Sequence, residues 1–141
     1  MRLRVALSFL TLVAACAPRS ATPAAAGVAA VTNVDWVLTE LDGKALSVTD
    51  RLPTLRLDPA TGRATGNAGC NRFTGGYTQA GDSLRFSALA LTRMMCAEPE
   101  RNALEQAFTS ALAVVTGAAT PATDRLELTG PSGIVARFRR P

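Results

Sequence analysis

Histidine is absent from the 141 residues. That removes the one side chain that titrates near neutral pH unperturbed, and with it the usual general base and a frequent zinc ligand. Aromatic residues make up only 5% of the chain, so any core must be small and tightly packed. The positive excess is also modest. Loss of Arg2 and Arg4 with a cleaved leader would lower the net charge from +4 to +2, too little and too scattered to point to nucleic acid. The apolar stretch Val5–Ala15 falls well short of the roughly 20 residues that span a bilayer. Cysteine occurs three times, and no two cysteines have the C-x-x-C spacing of a redox pair.

What is present at the N-terminus reads as an address. "MRLR" is a short basic region, and Val5–Ala15 is the apolar region of a signal peptide. The small residues Ala14 and Ala15 lead directly into Cys16, and "LVAAC" resembles a bacterial lipobox. The expectation is a leader over 1–15 and an acylated Cys16 as the membrane attachment, with an ordinary cleaved signal as the alternative. Ala17 and Pro18 supply no aspartate of the kind that retains lipoproteins at the inner membrane, so the expected location is the outer membrane, facing the periplasm. Residues 16–32 are rich in Ala and Pro and poor in large apolar side chains, which predicts a flexible tether.

From Asn33 to Arg139 the hydrophobic pattern is mostly that of strands. Val34, Trp36 and Leu38 alternate with polar residues, as do Leu55 and Leu57, Leu84 and Phe86, and Leu126 and Leu128. The last segment places Ile134, Ala136 and Phe138 inward by the same rule. Turn signals stand between the runs at Asp42–Lys44, Pro59–Gly62 and Gln79–Asp82. The period changes once. Leu104, Ala107, Phe108, Ala111, Leu112 and Val115 recur at helical spacing, which predicts a helix over 99–115, with Pro99 at its start and Gly117 as its stop. The predicted fold is mainly β (α+β): a small antiparallel β-barrel-like domain with one inserted helix.

The stretch "GNAGCNRFTGGY" (66–77) holds four glycines. It lacks the Lys-Ser/Thr pair of a P-loop, and a strand rather than a helix follows it, so bends and close contacts are the expected role. Asn71 suits a residue that satisfies backbone groups at a bend, while a surface binding role for Asn71 and Arg72 is the alternative. With Cys16 acylated in an oxidising compartment, Cys70 and Cys96 are expected to form a disulfide. Met94 and Met95 are expected to fill core gaps, only one of them facing inward, against the alternative of a soft Cu(I) site with the cysteines.

"GNAGCNRFTGGY", then "LTRMMC" (Leu91–Cys96), then a helix near "EPERNALEQAF" together resemble the META domain, or HslJ-like, family. "WVLTELDGK" and "RLELTGPSGIVARFRR" match the family's two ends in order. The matching motif positions are Gly69, Cys70, Asn71, Phe73, Gly75, Tyr77, Thr92, Met94 and Cys96. The resemblance implies a compact barrel-like fold in bacterial envelope proteins linked to stress and antibiotic tolerance, and it assigns no catalytic role to these residues. The expected function is that of a non-catalytic, lipid-anchored envelope protein in stress tolerance or envelope integrity through binding, with no metal or cofactor. The membrane is reached through the lipid anchor, and an envelope protein or a small apolar ligand is the expected partner; the alternative is a barrel module that binds a small apolar ligand or a protein such as a protease.

Overall fold

The computed structural model of the chain describes residues 31–48 and 50–141. The leader expected over 1–15, the acylation expected at Cys16 and the expected tether as far as residue 30 lie outside the described residues. Among the described residues there are ten strands and one helix. They run β1 (Trp36–Leu41), β2 (Lys44–Ala45), β3 (Thr54–Asp58), β4 (Arg63–Asn67), β5 (Arg72–Ala80), β6 (Ser83–Phe86) and β7 (Ala90–Leu91). The helix α1 (Pro99–Ala113) follows, then β8 (Gly117–Ala122), β9 (Arg125–Gly130) and β10 (Gly133–Arg139).

Every pairing is antiparallel, and β1 pairs with both β3 and β10, so the sheet closes into a ring in the order β1, β3, β4, β5, β6, β8, β9, β10. β2 and β7 are short additions outside that path. Side-chain alternation explains the closure. Trp36, Leu38, Leu55, Leu57, Ala64, Leu84, Leu126 and Leu128 all point inward and are fully buried. The α1 residue Phe108 fills the middle, edge-on to Phe73 at 6.0 Å and to Phe138 at 6.1 Å. On the outside, Arg137 of β10 bridges Glu40 of β1 and Glu127 of β9, binding three adjacent strands where the ring closes. The contact between β6 and β8 is much thinner, with a single register pair, Ser83 and Gly117.

Ahead of Asn33, Val31 is buried, and its carbonyl accepts the Trp36 indole N–H at 2.8 Å. Three expectations are corrected. The helix ends at Ala113 rather than at residue 115, and Gly117 opens a strand instead of stopping the helix. Val115 is still buried, but from the connection and not from a helical face. Ala107 is exposed, and the buried side of α1 is instead Arg101, Phe108, Ala111 and Leu112. In β10 the register shifts between Ile134 and Ala136, a bulge that turns Ile134 out (36% exposed) and Val135 in.

Candidate functional site

The turn between β4 and β5 carries the motif. Gly69 sits at φ +110°, a conformation that L side chains rarely adopt. Its N–H donates to Asn67 Oδ1 at 2.7 Å, and the Ala68 N–H donates to the Asn71 carbonyl at 2.7 Å. Gly66, just before the turn, is required for a different reason. A Cβ there would lie 1.9 Å from the Thr54 carbonyl oxygen and 2.8 Å from the Phe73 ring. β3, paired beside β4, therefore leaves no room for a side chain at Gly66.

Asn71 is 4% exposed and all four of its side-chain hydrogen-bonding positions are filled. Nδ2 donates to Glu105 Oε1 at 3.0 Å and to the Met94 carbonyl at 3.2 Å. Oδ1 accepts from the Thr92 hydroxyl at 2.8 Å and from the Met94 N–H at 2.7 Å. The Asn71 N–H adds a bond to Glu105 Oε2 at 2.6 Å, and the Thr92 hydroxyl accepts from the Arg72 N–H at 3.1 Å. One side chain thus joins the turn, the segment leading into α1, and α1 itself. Cys70 and Cys96 are joined by a disulfide, with Cα atoms 6.1 Å apart, which clamps the same segment a second time.

Other motif positions are also placed. Phe73 and Gly75 are buried on the inner face of β5, and Tyr77 is partly buried on the same face. Thr92 and Met94 lie in the clamped segment. Because Asn71 is buried, only Arg72 of the Asn71–Arg72 pair stands at the surface. The methionines are a correction: Met94 is 61% exposed and Met95 99% exposed, so neither fills the core. The backbone of Met94 is gripped by Asn71, and that grip, not hydrophobicity, sets the direction of the side chains. Glu105 was legible only as one acidic residue among several. Its partner lies 34 positions away, and nothing in the spacing announces the pair.

Around this clasp lies an open groove. One part, about 620 Å³, runs over the outer face of β3, β4, β5 and β7, floored by Thr54, Thr65, Thr74 and Ala90. A second part, about 920 Å³, continues along the disulfide past Arg51, Met94 and Met95 to the start of α1. Asn67, Arg72 and Thr92 border both parts. The charges here are unequal in availability. Arg101 is buried and committed, to Asp50 at 2.6 Å and to Glu98 at 3.5 Å. Arg51 and Arg72 have no ion pair among the described residues. Arg51 is also held at φ +49°, where a side-chain-bearing residue costs about 1–3 kcal/mol. Among the described residues no cluster of three or more Cys, Asp or Glu side chains is placed to hold a metal ion.

Comparison with known proteins gives one family and two related structures. The family model described as the META domain matches residues 29–141. An NMR structure of a protein from Burkholderia xenovorans is similar, with 30% identity, covering 96% of this chain and 99% of that one, at a TM-score of 0.64. A second NMR structure shares 25% identity over 77% of this chain and 91% of its own, at a TM-score of 0.57. No curated protein matches the chain.

Proposed function

The chain belongs to the META domain family, and from that premise we propose that it is a non-catalytic envelope protein that supports envelope integrity under stress by binding. In this reading Cys16 carries lipid and attaches the protein to the outer membrane, where the domain faces the periplasm. One observation carries the binding reading. Asn71, Thr92 and the two cysteines of the family motif are consumed by the fold, while the neighbouring Arg51 and Arg72 have no ion pair among the described residues and line an open groove. A motif spent on positioning a segment leaves the groove beside it as the working surface. An apolar ligand inside the ring is less favoured, because Phe73, Phe108, Phe138 and Trp36 occupy that space.

The test uses the full chain in a bacterial host with a photo-crosslinking residue in place of Thr74, on the groove floor. The expected results are a crosslinked adduct and a membrane-bound protein that is released when Cys16 is changed to Ser. No adduct from Thr74 overturns the binding reading. Persistence of Cys16→Ser on the membrane overturns the anchor.

A further inference from the structure

We infer, on the premise of the binding reading, that the groove recognises an extended acidic segment of another polypeptide, whose carboxylates are received by Arg51 and Arg72. The sign of the charge follows from what is already spent. Asp50 and Glu98 share the single cation of Arg101. Arg51 and Arg72 have no ion pair among the described residues, so three arginines stand against two carboxylates and the surplus is positive; a guanidinium pairs with a carboxylate through two parallel hydrogen bonds.

The alternative anion, a phosphate cradled by the glycine-rich turn, has few donors to meet it. The Ala68, Gly69, Asn71 and Arg72 N–H groups already donate to Asn71 O, Asn67 Oδ1, Glu105 Oε2 and Thr92 Oγ1. Backbone nests of that kind bind phosphate only when their amides are free.

The extended form of the ligand follows from shape. The two parts of the groove meet at Arg72 and Thr92, so the surface is elongated. Its first part is lined by Thr54, Thr65, Thr74 and Ala90 beside Phe73 and Leu91, which suits short side chains lying flat. A peptide laid along the groove passes Arg72, where the two parts meet, and reaches Arg51 in the second part. Met94 and Met95 border the same groove as adaptable apolar contacts.

Arg51 makes the inference discriminating. Its left-handed backbone favours glycine, so Arg51→Gly relieves the fold while deleting a cation. A purely structural residue would not show that divergence.

The experiment titrates a capped peptide of alternating Asp and Val into the full chain and follows backbone amide signals by NMR. A Lys–Val peptide and inorganic phosphate serve as controls. Saturable shifts are expected at Leu91, Thr92, Arg72 and Arg51, with binding weakened about tenfold by Arg72→Glu. Arg51→Gly is expected to unfold at a higher temperature yet bind about fivefold more weakly. Equal binding by either variant, equal binding of the Lys–Val peptide, displacement by phosphate at matched concentration, shifts confined to other strands, or no binding at all each overturn the inference. If they do so while Thr74 still captures a partner in cells, the acidic-strand inference falls and the binding reading stands. If Thr74 captures nothing, both fall.

Discussion

Replacing Asn71 by Ala removes four side-chain hydrogen bonds from a site that is 4% exposed. At about 1 kcal/mol of net stability per bond, the loss approaches 4 kcal/mol. Part of it is recovered, because Thr92 and Met94 lie in an exposed segment where water replaces the lost partner. The disulfide also holds that segment in place. The expected cost is therefore about 2–3 kcal/mol. Asn71→Asp sharpens the test. It keeps the two acceptor positions facing Thr92 and Met94 but sets a second carboxylate against Glu105. Two carboxylates sharing one site cannot both ionise cheaply. The shared proton's affinity is higher in the folded state than in the unfolded chain. Stability is therefore greatest below the ordinary carboxylate range and falls as pH rises through it, a slope absent from the Ala variant. Trp36, the single tryptophan, is fully buried and reports unfolding directly by fluorescence in urea titrations from pH 3 to pH 8. A cost under about 1 kcal/mol for Asn71→Ala, or matching pH slopes for the Asp and Ala variants, would refute the reasoning that this side chain holds the clasp.

Three further outcomes are expected. Removing the disulfide as the Cys70→Ser, Cys96→Ser pair frees a closure of 26 residues and should cost about 3.5 kcal/mol in urea melts, with the same shift seen for the native chain under reductant. Gly66→Ala places its Cβ 1.9 Å from the Thr54 carbonyl and should cost more than about 2 kcal/mol, with β3–β4 amides losing hydrogen-exchange protection. Tyr77 has its ionisation pushed above the usual phenol range, by burial first and then by the charge of Asp58. Folding therefore favours its protonated form. That preference is fully present below about pH 10 and is lost as pH rises through the folded-state value, so alkaline melts should decline more steeply for the native chain than for Tyr77→Phe.

The sequence was readable wherever one face of a strand buries large aliphatic side chains. β3, β6 and β9 alternate cleanly because Leu55, Leu84 and Leu128 all need the interior, and β1 does so from Trp36 to Leu38, before a register shift brings Leu41 inward. β8 was silent, because "GAATPA" buries only Ala118 in full and gives no amplitude to alternate. β10 was misphased because its bulge adds a residue that no periodicity reveals. The helix was visible from its spacing, but its end was not, since Val114 and Val115 continue the apolar run past the last turn. In the site, cysteine count and compartment chemistry were enough to pair Cys70 with Cys96. The rest depended on contacts between distant residues. Glu105 reaches Asn71 only because α1 crosses beside Gly69, where a Cβ would stand 3.6 Å from Leu104. Met94 and Met95 were assigned by their chemistry, whereas their direction is dictated by a backbone held from elsewhere.

The thin contact between β6 and β8 has a consequence for how the molecule breathes. One register pair, two neighbouring backbone bonds, Leu84 to Thr116 and Ala118 to Asp82, and a long bond from the Ser83 hydroxyl to the Thr116 carbonyl hold that junction. It is the cheapest place for the cylinder to unzip, and a single rupture there bares two strand borders at once. The species that opens is thus the one best equipped to exchange strands with a second copy. Self-association should then grow with concentration well below the temperature at which Trp36 meets water.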